Sequence, residues 1–135
     1  MSDFNEQVVA EFRAHHGKVG GPFEGAPLLL LHSTGAKTGN VRVSPLMYLP
    51  DDGRYVIFAS KAGADSNPAW YHNLKKNPQA TIEVGDETVS VVAEEVEGAD
   101  RDALYRKQAT LFSGFADYEK KTARIIPVVR LSTSA

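Results

Sequence analysis

Phe4, Val8, Val9 and Phe12 recur at helical spacing, which predicts an amphipathic N-terminal helix over residues 1–17. Asp3 with Glu6 offers a capping pair, and Gly17 a stop. A Gly/Pro loop covers 18–27. Leu28 to His32 then reads as a short, continuously apolar strand, and residues 34–39 as turn chemistry. From Val41 to Leu49 the pattern alternates, with Val41, Val43 and Pro45 on one face and Arg42 and Ser44 on the other. Pro45 in mid-run marks an edge strand or a bulge. Asp51-Asp52-Gly53 predicts a hairpin turn into a strand over 54–60.

The second half continues in short elements. A polar loop spans 61–66, and Asn67-Pro68 starts a helix with Asn67 as its cap, running through Trp70 and Leu74 to stop before Pro78. Strands over 80–84 and 87–93 are joined at Gly85-Asp86. Asp100 caps a third helix that reaches Leu111, Gly114 breaks it, and 116–121 forms a short helical piece. A final strand covers 126–131. Six short strands, mostly hairpin-linked, imply antiparallel pairing and exclude a βαβ sheet. The expected fold is α+β and mainly β: a small antiparallel barrel or strongly curled sheet with three or four peripheral helices. No repeat or linker interrupts it, so residues 1–135 are expected to form one domain.

Composition narrows the chemistry. The 135 residues contain no cysteine, which removes disulfides, thiolate metal sites, iron–sulfur clusters and cysteine nucleophiles. The acidic start lacks an apolar segment of signal type, and no run approaches a membrane span, so a cytoplasmic protein is expected. The net charge of −2 is unevenly spread. Residues 83–102 hold eight acids and one base, whereas 27–50 hold Lys37 and Arg42 and no acid. A pI near 6.1 without a basic stripe argues against nucleic acid, and the acid-free stretch suits a small anion.

Three segments are candidates for function. Gly35-Ala36-Lys37-Thr38-Gly39 lacks the glycine spacing of a nucleotide-hydrolysing phosphate loop, and a strand follows it instead of a helix. It remains either an ordinary hairpin with exposed bases or a turn whose backbone N–H groups, Lys37 and Arg42 bind phosphate. Ala59 to Trp70 is a strand end followed by small residues, with Lys61 adding a third cation and a helix N-terminus directed toward the same region. It is either a structural loop or the bed of a flat ligand, and Trp70 alone reads as core. Phe112, Phe115 and Tyr118 share one face, as core packing or as a flap over a pocket. His15, His16, His32 and His72 have no metal-ligand spacing, and no serine-hydrolase elbow occurs.

In order and spacing, T-G-A-K-T-G-N-V-R-V-S-P-L, A-S-K-A-G-A-D-S-N-P-A-W-Y-H-N-L, and D-Y followed by R-I-I-P resemble the deazaflavin-dependent nitroreductases, also called coenzyme F420-dependent quinone reductases. The match spans about residues 28–131. The resemblance implies a split β-barrel like that of the flavin-binding pyridoxamine-phosphate oxidases. It implies coenzyme F420, an 8-hydroxy-5-deazaflavin with a phosphodiester and an oligoglutamate tail. Lys37 and Arg42 would hold the phosphate, and Pro45, Ala59, Ser60, Lys61, Gly63, Trp70 and Asn73 would line the ring and ribityl portion. Ser60 and Tyr118 would donate a hydrogen bond or relay a proton to an acceptor reduced by hydride transfer.

The acceptor side departs from the family pattern. Where relatives are tyrosine-rich, this chain has Met47, Phe112 and Phe115, and only Tyr118 keeps a hydroxyl. The expected acceptor is flat and apolar: a quinone, an enone or lactone, with nitroaromatics less suited. An FMN-dependent reductase on the same barrel, or a non-catalytic carrier of the coenzyme, are the alternatives. A monomer or homodimer is expected, with weak peripheral contact to the inner face of the cell membrane through the N-terminal helix.

Overall fold

The computed structural model describes residues 2–20 and 27–133, apart from the side chains of 2–5 and 62. Its elements are α1 (Ser2–Ala14), β1 (Leu28–Thr34), β2 (Val41–Met47), β3 (Leu49–Asp51), β4 (Arg54–Phe58), α2 (Ala69–Lys76), β5 (Gln79–Val84), β6 (Glu87–Val96), α3 (Gly98–Leu111), α4 (Gly114–Lys121) and β7 (Val128–Thr133). A 3-10 turn, Lys61–Gly63, lies between β4 and α2. Every strand pair is antiparallel, in the order β2-β1-β5-β6-β7-β4-β3.

The two edge strands of this sheet are neighbours in sequence, separated only by Tyr48, whose N–H donates to the Pro27 carbonyl at 3.1 Å. The sheet therefore curls until its edges meet, and β2 with β3 acts as one bent stave of a split barrel. The single strand expected over 41–49 is two because its first part pairs with β1 and its continuation with β4. Pro45 is tolerated because β2 has a ladder partner on the β1 side alone. Asp52 and Gly53, both at positive φ, form the two-residue turn between β3 and β4.

Alternation divides the core in two. Leu29, Leu31, Ile57, Ala59, Ile82, Val91, Val129 and Leu131 fill the barrel, and Trp70 and Leu74 of α2 join them. The intervening residues face outward beneath helices. Leu28 and Leu30 meet Val8 and Phe12 of α1. Val56, Phe58 and Val128 meet Tyr105 of α3 and Phe115 of α4. β1 is apolar at consecutive positions because it is covered on both faces.

The helix boundaries differ from the expected ones for local reasons. α1 ends at Ala14 because His16 and Gly17 turn left-handed, and the Gly17 N–H donates to the Phe12 carbonyl at 2.8 Å. A Cβ on Gly17 would stand 2.8 Å from the Gly85 Cα, so glycine also admits the β5–β6 turn. The Asp3 side chain and residues 21–26 of the predicted loop lie outside the described residues. Asn67 does not cap α2. Pro68 holds that position, and the Asn67 side-chain oxygen accepts from Arg124 instead. Asp100 sits in the first turn of α3 behind Glu97, where its charge still suits the helix N-terminus.

Candidate active site

A cleft of about 350 Å³ opens where the bent stave, the end of β4, the start of α2 and α4 converge. β2 contributes Ser44 through Met47, and the end of β4 and the turn beyond it contribute Phe58, Ser60 and Lys61. Pro68 and Trp70 bring the N-terminal end of α2, and Phe115 and Tyr118 close the side formed by α4. Of the residues singled out from the sequence, Pro45, Met47, Ser60, Lys61, Trp70, Phe115 and Tyr118 meet here. The volume is at the lower end of small-molecule sites, and the lining is mainly apolar with a few polar groups.

The α4 wall is fixed from beneath. Phe115 packs edge-on against Tyr118 with centroids 5.2 Å apart and against Phe58 at 5.6 Å. The Tyr105 hydroxyl donates to the Phe115 carbonyl at 2.6 Å, and burial pushes that phenol up, so it stays a donor. Phe112 is packed in the same cluster and is not among the cleft residues.

The opposite wall is a strained turn. Lys61 has φ +47°, a conformation costing about 1–3 kcal/mol in a non-glycine residue. The Gly63 N–H donates to the Ser60 carbonyl at 2.9 Å, and the Ala64 N–H to the Lys61 carbonyl at 3.1 Å. Arg124 reaches this turn from the segment after α4. Its guanidinium donates to the carbonyls of Ala59, Ser60 and Ala64 at 3.1, 2.8 and 2.8 Å, and to the Asn67 oxygen at 2.8 Å. Arg124 was not singled out from the sequence as a functional residue, although it begins the R-I-I-P stretch, because its partners lie 57 to 65 residues away.

Ala59, Gly63 and Asn73 support the cleft from behind. Ala59 is inside the barrel. Gly63, at φ +84°, lets α4 approach: a Cβ there would stand 3.0 Å from the Lys121 side chain and 3.1 Å from the Tyr118 carbonyl. Asn73 is buried in α2, accepts from the Ala36 N–H at 2.9 Å and donates to the Ser33 hydroxyl at 3.2 Å. Lys76 donates to the Ala36 carbonyl at 3.0 Å, so α2 braces the 35–40 turn at two points.

That turn offers only part of the expected cradle of free N–H groups: those of Lys37 and Thr38 have no partner among the described residues, and the others are engaged within the fold. Gly35 donates to Asn40, Ala36 to Asn73, Gly39 to Gly35, and Asn40 to the Thr38 hydroxyl. The side chains of Lys37 and Arg42 remain exposed, and neither forms an ion pair with another described residue. Arg42 shares a strand face with Ser44 of the cleft, about 7 Å along β2.

A larger hollow of about 1200 Å³ lies beside the end of α1, lined by Glu11, His15, Pro27, Tyr48 and Val84 among others. It gathers none of the candidate residues, so size does not make it the site. Among the described residues no three His, Cys, Asp or Glu side chains cluster as metal ligands. Also among them, no helix is long and apolar enough to cross a membrane.

Comparisons with known proteins place the chain in a family. The family model described as F420H(2)-dependent quinone reductase matches residues 5–133. An F420H(2)-dependent quinone reductase of Mycobacterium tuberculosis is 41% identical over 127 residues, covering 91% of this chain and 85% of that protein. Among solved structures, an F420-H2 dependent reductase superposes with a TM-score of 0.72 at 36% identity, covering 78% of this chain and 94% of the other. A domain-swapped dimer superposes at 0.73 with 32% identity, covering 97% and 96%. A pyridoxamine 5'-phosphate oxidase of Listeria innocua, at 8% identity and a TM-score of 0.57, shares the fold alone, as the split barrel led one to expect. On the matched span and the relatives' identity, the chain belongs to the F420H(2)-dependent quinone reductase family, and its cofactor is coenzyme F420.

Proposed function

We propose that this cleft transfers a hydride from reduced coenzyme F420 to a flat apolar acceptor, a quinone before an enone, lactone or nitroaromatic. The observation carrying the reading is the convergence of Pro45, Met47, Ser60, Lys61, Trp70, Phe115 and Tyr118 around one opening. The donor set fits the group: apolar plates suit a ring system, and Lys61 at the cleft, Arg42 along β2 and Lys37 in the braced turn suit an anionic tail.

When bound, the coenzyme supplies a hydride-donating ring carbon for a two-electron reduction. Ser60 and Lys61, on a turn that cannot relax freely, orient the ring. Trp70 and Pro45 exclude water from its neighbourhood. Met47 and Phe115, the latter backed by Phe112, give the acceptor an apolar wall, which favours quinones over ligands that need several hydrogen bonds. Tyr118, with Ser60 across the cleft, donates a hydrogen bond to the acceptor oxygen as negative charge develops on it.

The assay follows oxidation of reduced F420 with menadione, a butenolide and a nitroimidazole, using reduced FMN and NADPH as control donors. Turnover is expected with F420 alone and fastest with menadione. Tyr118→Phe and Ser60→Ala are each expected to lower kcat by about ten- to a hundredfold. Turnover with FMN and none with F420 would move the chain to the flavin alternative, and binding without turnover would make it a carrier. A relative's swapped dimer supports a dimeric state, which light scattering would test. A cytoplasmic site of action fits the absence of a crossing helix among the described residues.

A further inference from the structure

We infer that Arg124 is the positioning residue of the cleft, setting the Ser60–Lys61 wall against the Phe115–Tyr118 wall; the functional part of this inference rests on the coenzyme site proposed above. Arg124 lies three residues beyond the end of α4, and its own N–H donates at 3.2 Å to the hydroxyl of Thr122, the C-cap of that helix, which ties it to the α4 wall. Its guanidinium meets acceptors on the opposite wall: Ala59 at the end of the barrel strand, Ser60 and Ala64 on either side of the turn, and Asn67 at the approach to α2. One planar cation thus gathers three backbone carbonyls and one side-chain amide oxygen from a single stretch, sharing the Ser60 carbonyl with the Gly63 N–H.

Two consequences reach the ligand. The carbonyls of Ser60 and Ala64 are turned onto Arg124, so the turn does not direct those oxygens at an anionic ligand. The left-handed Lys61, between the anchored Ser60 and Ala64, is kept in the lining of the cleft, with its ammonium 3.4 Å from the Ser66 hydroxyl. Lysine cannot replace Arg124, because one ammonium has three donors and none in a fork that reaches four separated acceptors. Gly63 is the second fastening between the same walls, since it admits the Tyr118 carbonyl and the Lys121 side chain.

The test combines Arg124→Ala and Arg124→Lys with hydrogen exchange of the ligand-free protein and a titration with oxidised F420. Amide exchange over residues 60–66 is expected to rise at least about tenfold in both variants, with β1 and β7 keeping their protection. The dissociation constant for F420 is expected to rise about tenfold, and millimolar methylguanidinium to restore much of the loss in Arg124→Ala. Unchanged exchange over 60–66 overturns the inference, and so does faster exchange with unaltered affinity. If Arg124→Ala fails to fold, Arg124→Lys alone decides by the same two readouts. A parent protein that does not bind F420 would sink the coenzyme site instead, and exchange in the variants would still decide whether Arg124 holds the turn.

Discussion

The Tyr118 carbonyl stands 3.1 Å from the point where Gly63 would carry a Cβ. Tyr118, proposed above to donate to the acceptor, is therefore held, through its backbone, against the turn that bears Lys61. Gly63→Ala adds both a strained φ of +84° and this contact. It is expected to lose about 1–3 kcal/mol of stability and to weaken F420 binding, read by urea unfolding and by fluorescence titration. Parent-like values in both would show that α4 and the turn are not tightly apposed.

Asn73 acts on the 35–40 turn from behind. Asn73→Ala leaves the Ala36 N–H and the buried Ser33 hydroxyl without their partner, at a cost of about 1–3 kcal/mol. The unfolding midpoint is expected to fall, and exchange of residues 35–40 to rise. A direct ligand role for Asn73 would instead weaken F420 binding and leave exchange of the turn unchanged.

α1 is tied to the barrel by Glu83, which accepts from Arg13 at 3.1 and 2.7 Å and meets His32 at 2.6 Å. The hydrogen bond from Arg13 holds the Glu83 carboxyl below its ordinary value, more than burial raises it. A carboxylate lowered on folding stabilises the native state above its unfolded pKa, and the gain is lost as pH falls through the folded one. Glu83→Gln is therefore expected to be less stable than the parent by about 1 kcal/mol at neutral pH, with the gap closing as pH falls through and below the usual carboxylate range. Urea midpoints across that range check it; a gap that persists at low pH would assign the effect to packing.

Lys37 and Arg42 are assigned to the anionic part of the coenzyme. The double variant Lys37→Ala with Arg42→Ala is expected to bind F420 roughly ten- to a hundredfold more weakly at low salt. The difference is expected to shrink at high salt, because both side chains are exposed. Equal affinity for parent and variant would remove both residues from the site.

The parts of the fold readable in the sequence were those set by neighbours along the chain. The Asp52-Gly53 turn, the Gly85-Asp86 turn and the Pro78 helix stop depend on residues a few positions apart, and each occurs as expected. Tyr48 breaking a strand in two was not readable, because the break exists only where opposite edges of a curled sheet meet. Asn67 looked like a cap because its type suits one, but an arginine 57 residues away takes its oxygen. At the site, residues grouped by short motifs fell together around the cleft. Asn73, Gly63 and Arg124 reveal their supporting roles only through partners on other elements.

The central claim is that the cleft between β2, the Ser60–Lys61 turn and α4 receives the coenzyme ring. A crystal structure of the protein with oxidised F420 tests it most directly. The account predicts ring density against Pro45, Ser60, Lys61 and Trp70, with the tail running toward Arg42 and Lys37. Ordered ring density in the larger hollow beside Glu11, His15 and Tyr48, with the cleft empty, would contradict it.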